Sequence, residues 1–171
     1  MNTESHELAA IVFTDIVGFT ASMEEDEAKT MDVLRQFRKK IHSSIEKHDG
    51  ELLKEIGDGT LLKFKSALNA VLCSIDLQNQ SKEIKDFKLR IGIHLGDVIV
   101  EGNDVFGSGV NIASRIESLA GSGEIFMSNE IYSQIKNKKE IRTESIGKKS
   151  IKGIEGKIEL FKVLNDPETL D

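Results

Sequence analysis

The chain has 171 residues, 39% of them hydrophobic and 30% charged, the balance of an ordinary globular domain long enough to bury a core without staples. Its formal net charge of −6 argues against a nucleic-acid backbone as partner, although a locally cationic or metal-holding site can still take an anionic ligand. The single cysteine, Cys73, excludes an intrachain disulfide and a thiolate metal cluster.

Leu8 to Thr14 is a short apolar, β-branched run and reads as a buried strand ending at Asp15, with Ile16-Val17-Gly18-Phe19-Thr20 as a tight connection. From about Glu24 to His48, apolar residues recur every three or four positions (Ala28, Met31, Leu34, Phe37, Ile41, Ile45). This spacing predicts one long amphipathic helix stopped at Asp49-Gly50. Glu51 to Ile56 and Thr60 to Phe64 flank Gly57-Asp58-Gly59 and read as a β-hairpin. Ser66 is placed to cap a second helix running to about Ser81. Lys88 to His94 and Asp97 to Glu101 read as a strand pair joined at Leu95-Gly96, and a third helix is expected over Gly109 to Ala120. A strand at Glu124 to Met127, a short helix at Glu130 to Ile135 and a strand at Ile158 to Val163 complete the set. The lysine-rich run Lys136 to Lys139 reads as a solvated turn. The opening order β-α-β-β-α-β is that of a ferredoxin-like α+β core, with helices on one face of a mainly antiparallel sheet and a C-terminal α/β extension. No run approaches the length of a membrane span and the N-terminus lacks a signal-peptide pattern, so a cytoplasmic location is expected, with no membrane segment in this chain. The segment 165–171 is expected to be a polar tail.

Asp15, at a strand end before a glycine-containing turn, and Asp58, at a hairpin tip, are each ordinary turn residues when taken alone. In a ferredoxin-like sheet, however, the two can project at one end. Converging carboxylates there would suit two cations roughly 3.5–4 Å apart, the spacing used for nucleotidyl transfer. Asn111 and Arg115 lie four apart on one face of the third helix, beside the apolar Ile112, Ala113 and Ile116. A guanidinium in that setting suits a phosphate. The four histidines share no metal-binding spacing, and the sequence has neither a P-loop nor a GxSxG elbow.

Four segments, in order and at the right spacing, together resemble the class III adenylate/guanylate cyclase catalytic domain: Phe13 to Thr20, Lys54 to Gly59, Leu89 to His94, and Gly107 to Arg115. The match spans about 8–163, which makes 1–171 a single catalytic domain of class III cyclase fold. The resemblance implies conversion of ATP to 3′,5′-cyclic AMP and pyrophosphate by attack of the ribose 3′-OH on the α-phosphate, with two divalent ions, Mg2+ or Mn2+, as cofactors. It assigns Asp15, Ile16 and Asp58 to metal binding, Lys54 and Asp104 to adenine, and Gly18, Phe19, Thr20, Arg90 and Lys152 to phosphates. Asn111 becomes the ribose-orienting residue and Arg115 the transition-state arginine. It also implies a homodimer, one protomer supplying Asp15, Asp58 and Arg90 and the other Lys54, Asp104, Asn111, Arg115 and Lys152. Two alternatives remain: a guanylate cyclase, which would normally carry a carboxylate near position 54 and a smaller polar residue near 104, and a non-catalytic nucleotide-binding dimerisation module. The sequence holds no sensor domain and does not show what regulates activity; a regulatory domain, where one exists, is expected outside this chain.

Overall fold

The computed structural model describes residues 4–164, and the expected tail at 165–171 lies outside the described residues. The first strand, β1 (Glu4–Ile16), is longer than its apolar run predicts because its neighbour β4 (Leu89–Glu101) is equally long, Glu4 pairing with Glu101 and Ile16 with Leu89. Its side chains alternate between two cores. Ala10 and Val12 enter the larger one, and Ala9 and Ile11 the other. Burial on both faces is why this strand reads as an unbroken apolar run.

The helix expected over 24–48 is two helices, α1 (Phe19–Glu25) and α2 (Glu27–Lys47). Asp26 between them is extended, and its carboxylate accepts from the Lys29 backbone N–H at 3.1 Å. A short acidic side chain satisfies an orphan helix donor better than it continues a helix, and the break follows. Phe19 and Thr20, expected in the connection, are the first residues of α1. β2 (Glu51–Ile56) and β3 (Gly59–Phe64) form the predicted hairpin, and Ser66 caps α3 (Ala67–Ser81) as expected, accepting from Asn69. Phe37 and Ile41 of α2 and Val71 and Leu77 of α3 fill the larger core against Val12, Leu62, Ile91 and Ile93. Cys73 is buried in it.

No break occurs at Leu95-Gly96: the two residues pair with Ala10 and Ala9 in mid-strand. The glycine is there for space, since a Cβ would stand 2.8 Å from the His94 ring and 3.4 Å from the Gly109 Cα. The chain reverses instead at Gly102-Asn103, forming a short strand the sequence reading missed, β5 (Asp104–Phe106). α4 (Ser108–Leu119), β6 (Ile125–Ser128) and α5 (Asn129–Ile135) follow where expected. β7 (Thr143–Ser150), also unpredicted, pairs with β8 (Lys157–Val163). It is an almost wholly exposed edge strand of sequence TESIGKKS, so it carries no buried face for periodicity to reveal.

The sheet runs β2-β3-β1-β4-β6-β8-β7, with β5 also on β4. Its first four strands with α2 and α3 are the ferredoxin-like core; among the described residues only the β4–β6 pair is parallel. The expectation of helices on one face holds for α2 and α3 but not for α4, which covers the other face through Ala113 against Ala9, Ile11, Val98 and Val105. Strands apolar on both sides need this second layer. Among the described residues, no helix is long and apolar enough to cross a membrane.

Candidate active site

The register of the sheet brings Asp15 and Asp58 together. Asp15 is the Cα partner of Arg90 across β1 and β4, and the Arg90 guanidinium lies 2.8 Å from Asp15 Oδ2. In the β2–β3 hairpin Ile56 pairs with Gly59, so the central turn residues are Gly57 and Asp58. Gly57 has φ 59°, the type II′ arrangement with glycine first. Gly59 belongs to the strand, where a Cβ would meet the Thr14 carbonyl oxygen at 2.7 Å. That close approach seats the hairpin tip on the end of β1. The Ile16 N–H then donates to Asp58 Oδ2 at 2.8 Å.

One residue of this cluster escaped the sequence reading. Glu117 of α4 is 6% exposed. The helix backbone lies directly on β4, since a Cβ on Gly92 would stand 2.2 Å from the Glu117 nitrogen. Burial, then a hydrogen bond to Asp15 and repulsion from the Asp15 and Asp58 carboxylates, push its carboxyl from 4.5 up to about 8, with Arg90 opposing. A signal was available: Glu117 follows Ile116 on the apolar side of the helix, where a carboxylate is out of place.

A folded-state pKa raised above the unfolded one stabilises the protein fully below about 4.5, and the contribution is lost as pH rises through about 8. The metal-free protein is therefore expected to lose stability steadily across that window, and Glu117→Gln to flatten the slope. Denaturant unfolding in chelator at several pH values checks this; parallel pH profiles for the two proteins would refute it.

The cluster fits divalent cations. Asp15 Oδ1 is buried and receives no N–H donor, and three carboxyl groups share the site with one guanidinium. Among the described residues no group of three or more His, Cys, Asp or Glu side chains is arranged to hold a metal ion. A hard cation here would draw further ligands from main-chain and substrate oxygens, as Mg2+ commonly does.

Lys54 and Asp104 also meet, Nζ to Oδ1 at 2.8 Å. A register shift between Leu52 and Lys54 re-aims the lysine. The missed strand β5 delivers the aspartate: Val105 packs with Leu61, Val98 and Leu53, folding the β4–β5 hairpin over toward β2. Hydrogen bonds from Lys54 and from the Val105 N–H hold the Asp104 carboxyl below its ordinary range.

Asn111 is exposed on α4 and Arg115 half-buried. The Arg115 guanidinium donates to the Lys152 carbonyl oxygen, and Gly153 leaves room for it. Arg115 and Glu117 are two residues apart, roughly 200° around the helix, so Arg115 points away from the Asp15 cluster that Glu117 touches. Gly18, in the left-handed conformation at φ 73°, is the N-cap of α1 without a side-chain cap, ahead of Phe19 and Thr20. The Val17 N–H, bonded to the Lys88 carbonyl at 2.9 Å, pins this loop to the start of β4. One chain thus carries the cluster of Asp15, Asp58, Arg90 and Glu117, the Lys54–Asp104 pair and, on α4, Arg115 bonded to the Lys152 carbonyl.

The family model of the adenylate and guanylate cyclase catalytic domain matches residues 1–165. A candidate adenylate cyclase of Rhizobium meliloti strain 1021 is 36% identical in an alignment 162 positions long that covers 90% of this chain and 28% of that protein. The chain therefore spans little more than a quarter of this relative's length. Among solved structures, the adenylyl cyclase CyaB from P. aeruginosa superposes with a TM-score of 0.88 at 26% identity, covering 95% of this chain and 96% of that one. An adenylate/guanylate cyclase/hydrolase from Silicibacter pomeroyi does so with a TM-score of 0.88 at 26% identity, covering 95% and 99%. With the fold and these matches in agreement, the chain belongs to the adenylate and guanylate cyclase catalytic domain family.

Proposed function

We propose that this chain is one catalytic domain that converts ATP to 3′,5′-cyclic AMP and pyrophosphate, working as a homodimer with sites shared between protomers. The observation that carries the choice of ATP is the contact between Lys54 and Asp104, 2.8 Å apart. An ammonium donor beside a carboxylate acceptor complements the N1 acceptor and N6 amino donor of adenine. Guanine presents the opposite order at those atoms, donor against donor and acceptor against acceptor, and unpaired polar groups at a reading edge are costly. The adenylate cyclase names of the Rhizobium meliloti relative and of CyaB support the same choice.

Asp15, Asp58 and Ile16, through its carbonyl, would hold the two ions. When bound, Mg2+ or Mn2+ supplies Lewis-acid stabilisation of the phosphate oxygens and a lowered pKa for the attacking 3′-hydroxyl. The rest falls to the protein. Gly18, Phe19 and Thr20 present backbone N–H groups, and Arg90 and Lys152 positive charge, to the triphosphate. Asn111 orients the ribose for in-line attack, and Arg115 neutralises charge that grows at the α-phosphate. The orientation of Arg115, away from its own chain's Asp15 cluster, supports a site completed by a second copy related by a twofold axis.

Wild-type protein with Mn2+ is expected to give a kcat/KM for ATP well above that for GTP. Comparable values would refute the adenine-reading role of Lys54 and Asp104, and no turnover of either would favour a non-catalytic nucleotide-binding module.

A further inference from the structure

Asp58 is half-buried, but it sits at a hairpin tip beside the exposed Ile56 and Gly57, an insecure place for a residue that must hold a fixed position. Its hairpin tip has only two central residues, β2 is an edge strand of the sheet, and the space around the Gly57 α-carbon is open. Asp15, by contrast, lies in a strand paired on both sides. Something has to hold the tip, and α2 supplies it. The Arg38 guanidinium donates through one terminal nitrogen to the Gly57 carbonyl oxygen at 2.8 Å, while its Nε lies 3.0 Å from Glu55 Oε2. The Gly57 carbonyl belongs to the peptide bond that leads into Asp58. Asp58 is thus held from two directions: its backbone from α2 by Arg38, and its carboxylate from β1 by the Ile16 N–H at 2.8 Å.

We infer that Arg38 is a positioning residue for the metal centre, acting through the Gly57–Asp58 peptide without touching substrate or ion. The Arg38 Nε–H makes no hydrogen bond, so the Glu55 carboxylate acts on the guanidinium through charge and holds the planar group where its terminal N–H meets the Gly57 carbonyl; an ammonium on a flexible stem lacks that fork. The Arg38 and Glu55 side chains are 28% and 31% exposed, so as a plain ion pair they would contribute little to stability. Their value lies in the orientation they impose. Outer partners of this kind typically change metal affinity by about 10–100-fold when removed.

This inference rests on the assignment of Asp58 to metal binding, and the test separates the two. Mn2+ binding is measured by electron paramagnetic resonance on the full chain with 3′-deoxy-ATP, which cannot cyclise, alongside the Mn2+ dependence of turnover with ATP. Arg38→Ala is expected to weaken Mn2+ binding roughly 10–100-fold, with turnover largely recovered at saturating Mn2+ and the melting temperature little changed. Arg38→Lys should fall between Ala and wild type, and Glu55→Ala should weaken binding less than Arg38→Ala. Equal Mn2+ affinity in wild type and Arg38→Ala would overturn the role of Arg38. So would an affinity in Arg38→Lys equal to wild type, which is also the deciding comparison should Arg38→Ala fail to fold. Failure of the wild-type protein to bind Mn2+ at all would instead overturn the metal-site assignment and the inference with it.

Discussion

Asp15→Ala and Asn111→Ala proteins are each expected to be inactive alone and to recover activity when mixed. Asp15 lies next to the last residue of β1, beside Arg90, with its side chain 29% exposed, so the alanine variant should fold while losing a carboxylate from the metal cluster. Asn111 is exposed on α4, so its variant should fold as well. If one protomer supplies the aspartates and the other supplies Asn111, each mutant homodimer has two broken sites. A mixed dimer gathers both defects in one site and leaves the other intact. With random exchange half the dimers are mixed, and roughly a quarter of wild-type sites return. The recovered fraction should rise with protein concentration if the dimer is weak, since assembly follows mass action. A mixture no more active than its components, with subunit exchange shown independently, means that each site lies within one chain. Asp58→Ala should behave as Asp15→Ala does, and unimpaired turnover by either aspartate variant would remove the two-metal assignment.

The second large effect is expected at Arg115. Removing a donor aimed at charge that develops only in the transition state lowers kcat by about 10²–10³ and leaves KM comparatively unchanged. The guanidinium is held by the Lys152 carbonyl, so Arg115→Ala also frees the loop carrying Lys152. Lys152→Ala separates the two contributions, because loss of a ground-state phosphate contact should raise KM. Arg115→Lys should not restore kcat, since an ammonium lacks the planar fork. Steady-state kinetics on the three variants decides the matter. Normal kcat with raised KM in Arg115→Ala would show that the residue merely holds bound substrate.

The sequence alone determined the opening βαββαβ order, the ferredoxin-like core and the family. Each rests on a local signal: apolar periodicity of two or of three to four, Ser66 before a helix, glycines at reversals, and four motifs in register. The residues proposed for the site were also legible, because motif spacing names positions without needing coordinates. What sequence left undecided were features set by partners distant in the chain. Leu95-Gly96 looks like a turn, but its glycine answers to His94 and Gly109, and the strand runs on because β1 is equally long. β7 is a strand only because β8 supplies its hydrogen bonds. Asp104 reaches Lys54 only because Val105 packs into the smaller core. Glu117 and Arg38 carry no motif at all. One matters because Gly92 lets α4 press a carboxylate against Asp15, the other because α2 passes within reach of the hairpin tip. Local sequence dictates backbone preference and which face is apolar; which side chains meet across the sheet is decided by strand register and layer packing, and those exist only once the chain has folded.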